Sequence, residues 1–176
     1  EEILRGEIFQ ANLSRELSVR FKSDHSFPDI ISDLYTKTIE DSTAEFSCLM
    51  QYQNRWYISN SPERFFSVRS ECEKVEVIAE PIKGTRPRSL DPTQDALLAE
   101  SLKTSVKDRA ENIMIADLTR NDLSKVCLDG SIREESICEL RSWAHVHHLV
   151  SRISGLMLPK KNSVDVLKSC FPCGSV

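Results

Sequence analysis

Four short β-rich segments follow one another between residues 45 and 79, and two helix-like segments then stand side by side before further strands begin. The β-rich segments are Glu45–Tyr52, Trp56–Ser59, Arg64–Val68 and Val75–Ala79. Turn-forming residues separate them, which is typical of an antiparallel meander. Because the helices do not alternate with the strands one for one, we predict an α+β fold built on antiparallel sheets, not a doubly wound parallel sheet.

The remaining segments follow from periodicity and capping signals. We predict helices over Pro28–Glu40, from Asp91-Pro92 onward, over Ser105–Asn121 and over Ser163–Ser169. We predict strands over Ser131–Leu140 and His147–Leu158, and an extended segment over Ile3–Arg20. Asp91 is placed to cap its helix and Pro92 to occupy the first helical position, where the missing N–H has no helical partner in any case.

Composition limits the possible functions. The chain has 176 residues and a net charge of −4, which indicates one domain and disfavours a general nucleic-acid or membrane-surface binder. No apolar run approaches the ~20 residues of a membrane span, and no signal peptide is visible. Six irregularly spaced cysteines suggest reduced thiols, and hence a cytoplasmic protein. Because both ends look cut from something longer, we expect residues 1–176 to be part of one larger catalytic domain.

The segment Pro81–Arg88, with the sequence PIKGTRPR, contains the residue on which the functional interpretation depends. Lys83 can act as a nucleophile only when neutral, and deprotonating an ordinary lysine near pH 7 costs about 4.6 kcal/mol. Desolvation or neighbouring positive charge lowers that cost, and Arg86 and Arg88 are close in sequence. The alternative is a solvated lysine in a surface turn.

Acidic side chains are frequent in the helix predicted over Ser105–Asn121. Glu111 could supply an oxygen ligand to Mg²⁺, which is often held by one or two carboxylates and by substrate oxygens. Glu111 also lies four residues after Lys107, so an ordinary surface ion pair is the alternative.

Two further motifs suggest metal or redox chemistry only weakly. In a strand, His145 and His147 would share one face while His148 points to the other, and no acidic partner at suitable spacing accompanies them. A single histidine that donates a hydrogen bond or carries a proton fits better than a zinc site. Cys170 and Cys173 form a CxxC, but no second CxxC completes a four-ligand site.

Several strings, in the same order over essentially the whole chain, resemble the chorismate-utilising enzymes. They are IFQANLS (Ile8–Ser14), SPERF (Ser61–Phe65), PIKGTRPR (Pro81–Arg88), KDRAENIMIADLTRNDL (Lys107–Leu123), VHHLVSRISG (Val146–Gly155) and FPCGSV (Phe171–Val176). The resemblance implies antiparallel sheets in a β-sandwich core flanked by helices, truncated here at both ends. A lysine in the PIKGT string resembles the branch that forms 4-amino-4-deoxychorismate for p-aminobenzoate and folate. Members that form anthranilate usually have a small residue there.

The resemblance also implies residue roles. By this resemblance, Lys83 would be the catalytic nucleophile and Glu63 the general acid/base, and His148 would be a catalytic residue that lies near the substrate ring. Substrate contacts fall to Gly84, Thr85, Gly174 and Ser175. Glu111 matches a Mg²⁺ ligand. The family continues after this point with T-G-A-P-K and a later glutamate ligand, which are absent here, and it more often has alanine or glycine where Cys173 stands, so the CxxC looks like a substitution.

The expected activity is therefore amination of chorismate by a Mg²⁺-dependent enzyme. Ammonia would come from a glutamine amidotransferase (glutaminase), either as a separate subunit or as a fused domain. Two alternatives stay open: the anthranilate-forming reaction, and an incomplete fragment that acts only as a binding module. An isolated chain of this length could also be unfolded, because part of its sheet would be missing.

Overall fold

The structure is a computed structural model that describes residues 2, 4–8, 14–20, 26–41, 44–72 and 74–174. The described residues form two antiparallel sheets and four helices. The helices are α1 (Phe27–Asp41), α2 (Pro92–Lys103), α3 (Val106–Ser124) and α4 (Ser163–Cys170). The strands are β1 (Phe46–Tyr52), β2 (Arg55–Ser61), β3 (Arg64–Glu71), β4 (Lys74–Glu80), β5 (Ile82–Pro87), β6 (Arg133–Ser142) and β7 (Val146–Leu156). The predicted α+β class is confirmed.

Strand β7 is the centre of the five-stranded sheet. Strand β6 pairs along one of its edges, and β4 and β5 pair one after the other along the opposite edge, with β3 outside β4. Strands β1 and β2 form a separate two-stranded sheet, against which α1 packs. The predicted meander therefore divides into two hairpins in different sheets.

Helices α2 and α3 cover one face of the five-stranded sheet. Val77 and Ala79 of β4 and Ile153 of β7 are buried there against Ala116 and Leu123 of α3. Within the described part of the chain, the layer that packs on this face of the sheet is thus helical. No described helix has the length and apolar character needed to cross a bilayer.

A buried polar contact fixes the position of α3 along the sheet. The Asn112 side chain, with no exposed surface, donates to the Leu149 carbonyl at 2.9 Å and accepts from the Ser151 hydroxyl. Because an unpaired buried amide would cost about 1–3 kcal/mol, this contact favours one register of α3 on β7.

Capping signals explain where the helices begin. The Asp91 carboxylate accepts from the backbone N–H groups of Thr93 and Gln94, with Pro92 at the first helical position, as the sequence predicts. The Ser105 hydroxyl accepts from the Asp108 N–H in the same way and starts α3. The extended segment expected over Ile3–Arg20 falls partly outside the described residues, and residues 14–20 have no regular secondary structure.

Strand β5 continues the line of β4 past Pro81, which the sequence did not predict. Ala79 pairs with Ile153 and Ile82 with Val150, but Thr85 pairs with His148, so the register shifts by one residue in between. Lys83 and Gly84 together stand opposite one residue of β7, which is a β-bulge. Gly84 has φ +90°, a conformation that glycine adopts without strain.

The sheet face away from α2 and α3 carries a cluster of three arginines around one carboxylate. Glu80 is 8% exposed and accepts from Arg64 Nε at 2.7 Å, Arg141 Nη1 at 3.0 Å and Arg152 Nη1 at 3.2 Å. These arginines come from β3, β6 and β7, so the Glu80 cluster links four strands through side chains as well as through backbone hydrogen bonds.

Candidate active site

Lys83 lies in the bulge of β5 and is half-buried. Among the described residues, no hydrogen bond or ion pair engages its amine. Bulges beside functional sites often redirect a side chain out of the regular ladder. The structure thus places Lys83 in a strand and not in a surface turn, with the residue partly buried.

Glu63 lies beside the same bulge, just before β3 begins. Its Oε1 accepts from the Ile82 backbone N–H at 2.9 Å, so the carboxylate sits next to the residue that precedes Lys83. The Ser61 hydroxyl accepts from the Glu63 N–H at 3.2 Å and donates to the Glu63 carbonyl at 3.3 Å. This tight turn holds Glu63 on the β5 side of β3.

His148 occupies the other side of the bulge. Its Nδ1 lies 2.9 Å from the Thr85 hydroxyl, and its ring packs edge-to-face on Trp143 with centroids 5.4 Å apart. Burial lowers the pKa of His148, and a hydrogen bond with the Gly84 backbone only partly offsets this. A neutral imidazole is therefore favoured, and it can donate or accept one proton.

The first turn of α3 lies against the bulge. A Cβ added to Gly84 would come within 2.9 Å of the Asp108 Cβ, so this close approach requires glycine. Arg86 Nη2 donates to Asp108 Oδ2 at 3.0 Å across the same contact. Glu111 follows one turn later on α3, with its side chain 46% exposed. The Lys107 amine is 3.9 Å from Glu111, so the predicted surface pair exists but is long.

A cavity of about 210 Å³ opens between β3, β4, α3 and the end of the described chain. Its lining includes Glu63, Pro81, Ile115, Asp122, Cys173 and Gly174. Gly174 touches Ile115 and Leu118 of α3, so the C-terminal segment meets Glu63 across this cavity. Ser175, predicted to contact the substrate, lies outside the described residues.

The residues present fit a partial magnesium site. Among the described ranges, no group of three His, Cys, Asp or Glu side chains could hold a metal ion. Glu111 offers a half-exposed carboxylate of the hard-oxygen type that Mg²⁺ prefers, and Mg²⁺ commonly completes its shell with water and substrate oxygens. One protein ligand from this chain is therefore compatible with the ion.

The structure thus gathers most of the predicted site residues around β5 and α3. The bulge is formed by Lys83 and Gly84, and beside it lie Glu63, Thr85 and His148. His147 lies on the opposite face of β7 and contacts Ser142 and Asp95, while His145 precedes the strand. The sequence analysis missed the ion pair between Arg86 and Asp108 and the cavity position of Asp122. Arg86 and Asp108 are 22 residues apart in the sequence, so no local pattern indicates that they pair.

Comparison with solved structures defines the class of fold. The chain resembles anthranilate synthase component I from Streptococcus pneumoniae, with a TM-score of 0.69, 26% identity, and coverage of 81% of this chain and 30% of that one. It also matches a putative isochorismate synthase from Bacillus anthracis, with a TM-score of 0.60 over 72% of this chain and 33% of that one, which at 24% identity supports the fold alone. This is the fold of chorismate-utilising enzymes.

The family profile of chorismate binding enzymes matches residues 1–176, and the chain belongs to that family. It is 34% identical to aminodeoxychorismate synthase component 1 of Klebsiella aerogenes over 97% of this chain and 36% of that protein. It is also 34% identical to anthranilate synthase component 1 of Saccharolobus solfataricus over all of this chain and 39% of that protein. The chain therefore spans little more than a third of the length of these relatives.

Proposed function

We propose that the full-length protein converts chorismate to 4-amino-4-deoxychorismate with Lys83 as the nucleophile. The observation that carries this proposal is the position of Lys83: a half-buried lysine in a β-bulge, without a hydrogen-bonded partner among the described residues, between Ile82, which contacts Glu63, and Thr85, which contacts His148. A lysine committed to a salt bridge would lose that partner on attack, whereas this one is available.

The reaction must replace a hydroxyl group at C4 of chorismate by an amine. In the proposed route the neutral Lys83 amine forms a bond to C2, both ring double bonds shift, and the C4 hydroxyl leaves as water with a proton from Glu63. Ammonia then attacks C4 and gives up a proton, both double bonds shift back, and the Lys83 amine is expelled. The net change is addition of ammonia and loss of water. Two displacements replace one difficult step, which is the general advantage of covalent catalysis.

Glu63 is the proposed general acid for the departing hydroxyl. The Ile82 N–H donates to one oxygen of its carboxyl group at 2.9 Å, which fixes the group beside the bulge, where it can transfer a proton. Thr85 and His148 form a hydrogen-bonded pair on the other side of the bulge, where a neutral imidazole can orient the substrate without adding charge. Gly84, Gly174 and Ser175 are proposed to contact a substrate carboxylate through their backbone N–H groups.

Further components complete the proposal. Mg²⁺, held in part by Glu111, would neutralise substrate carboxylate charge. Ammonia would come from glutamine through a glutaminase subunit or fused domain. Because the chain spans about a third of the relatives' length, we propose that it is part of a larger catalytic domain in a cytoplasmic enzyme of folate synthesis, and that residues 1–176 alone are inactive.

Anthranilate synthesis is the second candidate. It is favoured by the relative of that name, which matches this chain at the same 34% identity as the aminodeoxychorismate synthase does. Both reactions start from chorismate, but the product differs, so product identity separates them.

The full-length protein, given chorismate, Mg²⁺ and ammonium at alkaline pH, is expected to form 4-amino-4-deoxychorismate. Coupling to a lyase converts this product to p-aminobenzoate, which chromatography resolves from anthranilate. Anthranilate as the sole product would refute the aminating assignment. The same assay with residues 1–176 alone is expected to give neither product.

Replacing Glu63 by glutamine is expected to lower kcat by about 10²–10⁴-fold, because the side chain can still accept from the Ile82 N–H but cannot transfer a proton. Steady-state kinetics of the full-length variant check this. The matched control is Glu45→Gln, at a carboxylate that pairs with Arg64 and is 53% exposed. Equal rates for both variants and wild type would remove Glu63 from the mechanism.

A further inference from the structure

The ion pair between Arg86 and Asp108 joins the two elements that carry the candidate catalytic groups. Arg86 belongs to β5, three residues after Lys83, and Asp108 belongs to the first turn of α3, three residues before Glu111. Arg86 Nη2 and Asp108 Oδ2 are 3.0 Å apart, with the side chains 32% and 16% exposed.

Asp108 is fixed more firmly than a surface carboxylate. Its backbone N–H donates to the Ser105 hydroxyl at 3.2 Å, which places it in the capped first turn of α3. Hydrogen bonding with Ser105 and then with Arg86 outweighs the effect of burial and lowers the pKa of Asp108, so the group is ionised near neutral pH. Its Cβ also packs on the backbone of Gly84.

Arg86 is held from its own side as well. Its Nη1 donates to the Thr85 carbonyl at 2.8 Å while Nη2 reaches Asp108. The guanidinium therefore bridges the strand backbone directly after the bulge and the first turn of α3. Residues three or four apart on a helix lie on neighbouring positions of its surface, so Glu111 shares the side of α3 that Asp108 occupies.

We infer that Arg86 and Asp108 form a positioning pair that sets the Lys83 bulge relative to the Glu111 carboxylate. This inference rests on the proposed function, because it assigns Lys83 and Glu111 their roles there. Neither member of the pair reacts. The pair acts by holding the nucleophile and the proposed metal-binding carboxylate at a fixed separation, and misplacement by about 1 Å can cost on the order of 10²-fold in rate.

A second ion pair of the same composition provides a matched control. Arg88 donates to Asp95 at 2.8 Å, with the side chains 33% and 16% exposed, and it also joins the end of this strand to a helix. That helix is α2, which carries none of the proposed catalytic or metal-binding groups. Asp95 also accepts from the Ser89 N–H and contacts His147, so loss of this pair is expected to lower stability at least as much as loss of the first pair. Only loss of the first pair should affect the site.

The test compares Arg86→Ala, Asp108→Asn and the double variant with Arg88→Ala, Asp95→Asn and their double variant, all in the full-length protein. Three measurements are made on each: the thermal unfolding midpoint, the calorimetric Kd for Mg²⁺ in the presence of chorismate, and kcat and KM for chorismate. Glu111→Gln serves as the reference for loss of the proposed ligand, and Asp108→Glu tests rescue by a conserved charge.

The expected result is a separation between the two pairs. Variants at Arg86 and Asp108 weaken Mg²⁺ binding by about tenfold or more and lower kcat by about 10²-fold with little change in KM. The double variant is no worse than the single ones, and Asp108→Glu recovers part of both losses. Variants at Arg88 and Asp95 lower the unfolding midpoint at least as much but leave the Mg²⁺ Kd and kcat unchanged.

Equal Mg²⁺ affinity and equal kcat in the two sets of variants would overturn the positioning role and leave Arg86 and Asp108 as an ordinary strand-to-helix ion pair. The proposed function is tested by a different measurement, the identity of the product. If the wild-type protein makes only anthranilate, the amination assignment is wrong, but the Mg²⁺ affinities and turnover of the two sets still decide whether this pair positions the site.

Discussion

Replacing Lys83 by alanine in the full-length protein is expected to reduce formation of 4-amino-4-deoxychorismate by about 10⁴-fold or more, the order of loss that follows removal of a covalent catalyst. In the proposed route the amine supplies the bond to the substrate, and no other described lysine lies in the bulge of β5. Chorismate and Mg²⁺ binding should persist, because the proposed contacts to both come from other residues. Rapid-quench measurement of single turnovers, with calorimetric chorismate binding alongside, checks both parts.

Two controls separate nucleophilic from electrostatic roles of this lysine. Lys83→Arg keeps the positive charge but not a neutral amine, so it is expected to be as inactive as the alanine variant. Lys103→Ala removes a lysine at the end of α2, away from the bulge, and should retain wild-type turnover. Activity in Lys83→Arg close to wild type would contradict the covalent route, and so would an active enzyme that shows no adduct on Lys83 by mass spectrometry during turnover.

Replacing Glu80 by alanine is expected to lower the free energy of unfolding by about 3 kcal/mol. Removing one member of a buried ion cluster leaves the other charges without compensation, at a typical cost of about 3–5 kcal/mol. We expect the lower end because Arg64, Arg141 and Arg152 keep 20–32% of their side-chain surface exposed. Denaturant unfolding of the full-length protein measures the difference.

Glu139→Ala is the matched control, because Glu139 also pairs with Arg141 but is 50% exposed. Surface pairs of this kind contribute about 0–1 kcal/mol. A loss for Glu80→Ala as small as that for Glu139→Ala would show that the Glu80 cluster does not stabilise the sheet.

The contribution of Glu80 should also depend on pH in a defined direction. Burial raises the pKa of Glu80, but hydrogen bonds from Arg141 and Arg64 outweigh burial, and the net effect lowers the pKa below its ordinary value. The stabilisation is therefore complete above the unfolded-state pKa of about 4.3 and is lost as the pH falls through the lower folded-state pKa. Wild type and Glu80→Ala should thus differ most near neutral pH and converge in acid.

Local patterns predicted most of the elements of the fold. The helix over Pro28–Glu40 agrees with α1 to within one residue at each end, and Asp91 caps α2 as expected. These successes depend on signals within a few residues of each other. The division of the meander into two sheets was not predictable in this way, because it depends on which strands pair across long stretches of sequence.

The site was predicted as a set of residues but not as an arrangement. Lys83, Glu63 and His148 came from matching motifs, while their mutual placement depends on strand register. Pro81 and Gly84 suggested an interruption, whereas the structure accommodates Pro81 within the line of β4 and β5 and absorbs Gly84 as a bulge. Whether the chain there turns or continues is decided by pairing with β7, which lies some 65 residues away in sequence.

The one extra residue in β5 determines which histidine of β7 stands opposite Thr85. Without it, Thr85 would fall opposite His147, and the hydrogen bond to His148 would be lost. Because the side chain preceding Gly84 is not needed for that register, a small residue could take its place while the surrounding framework stayed intact. The bulge therefore sets Thr85 against His148 whatever side chain residue 83 carries.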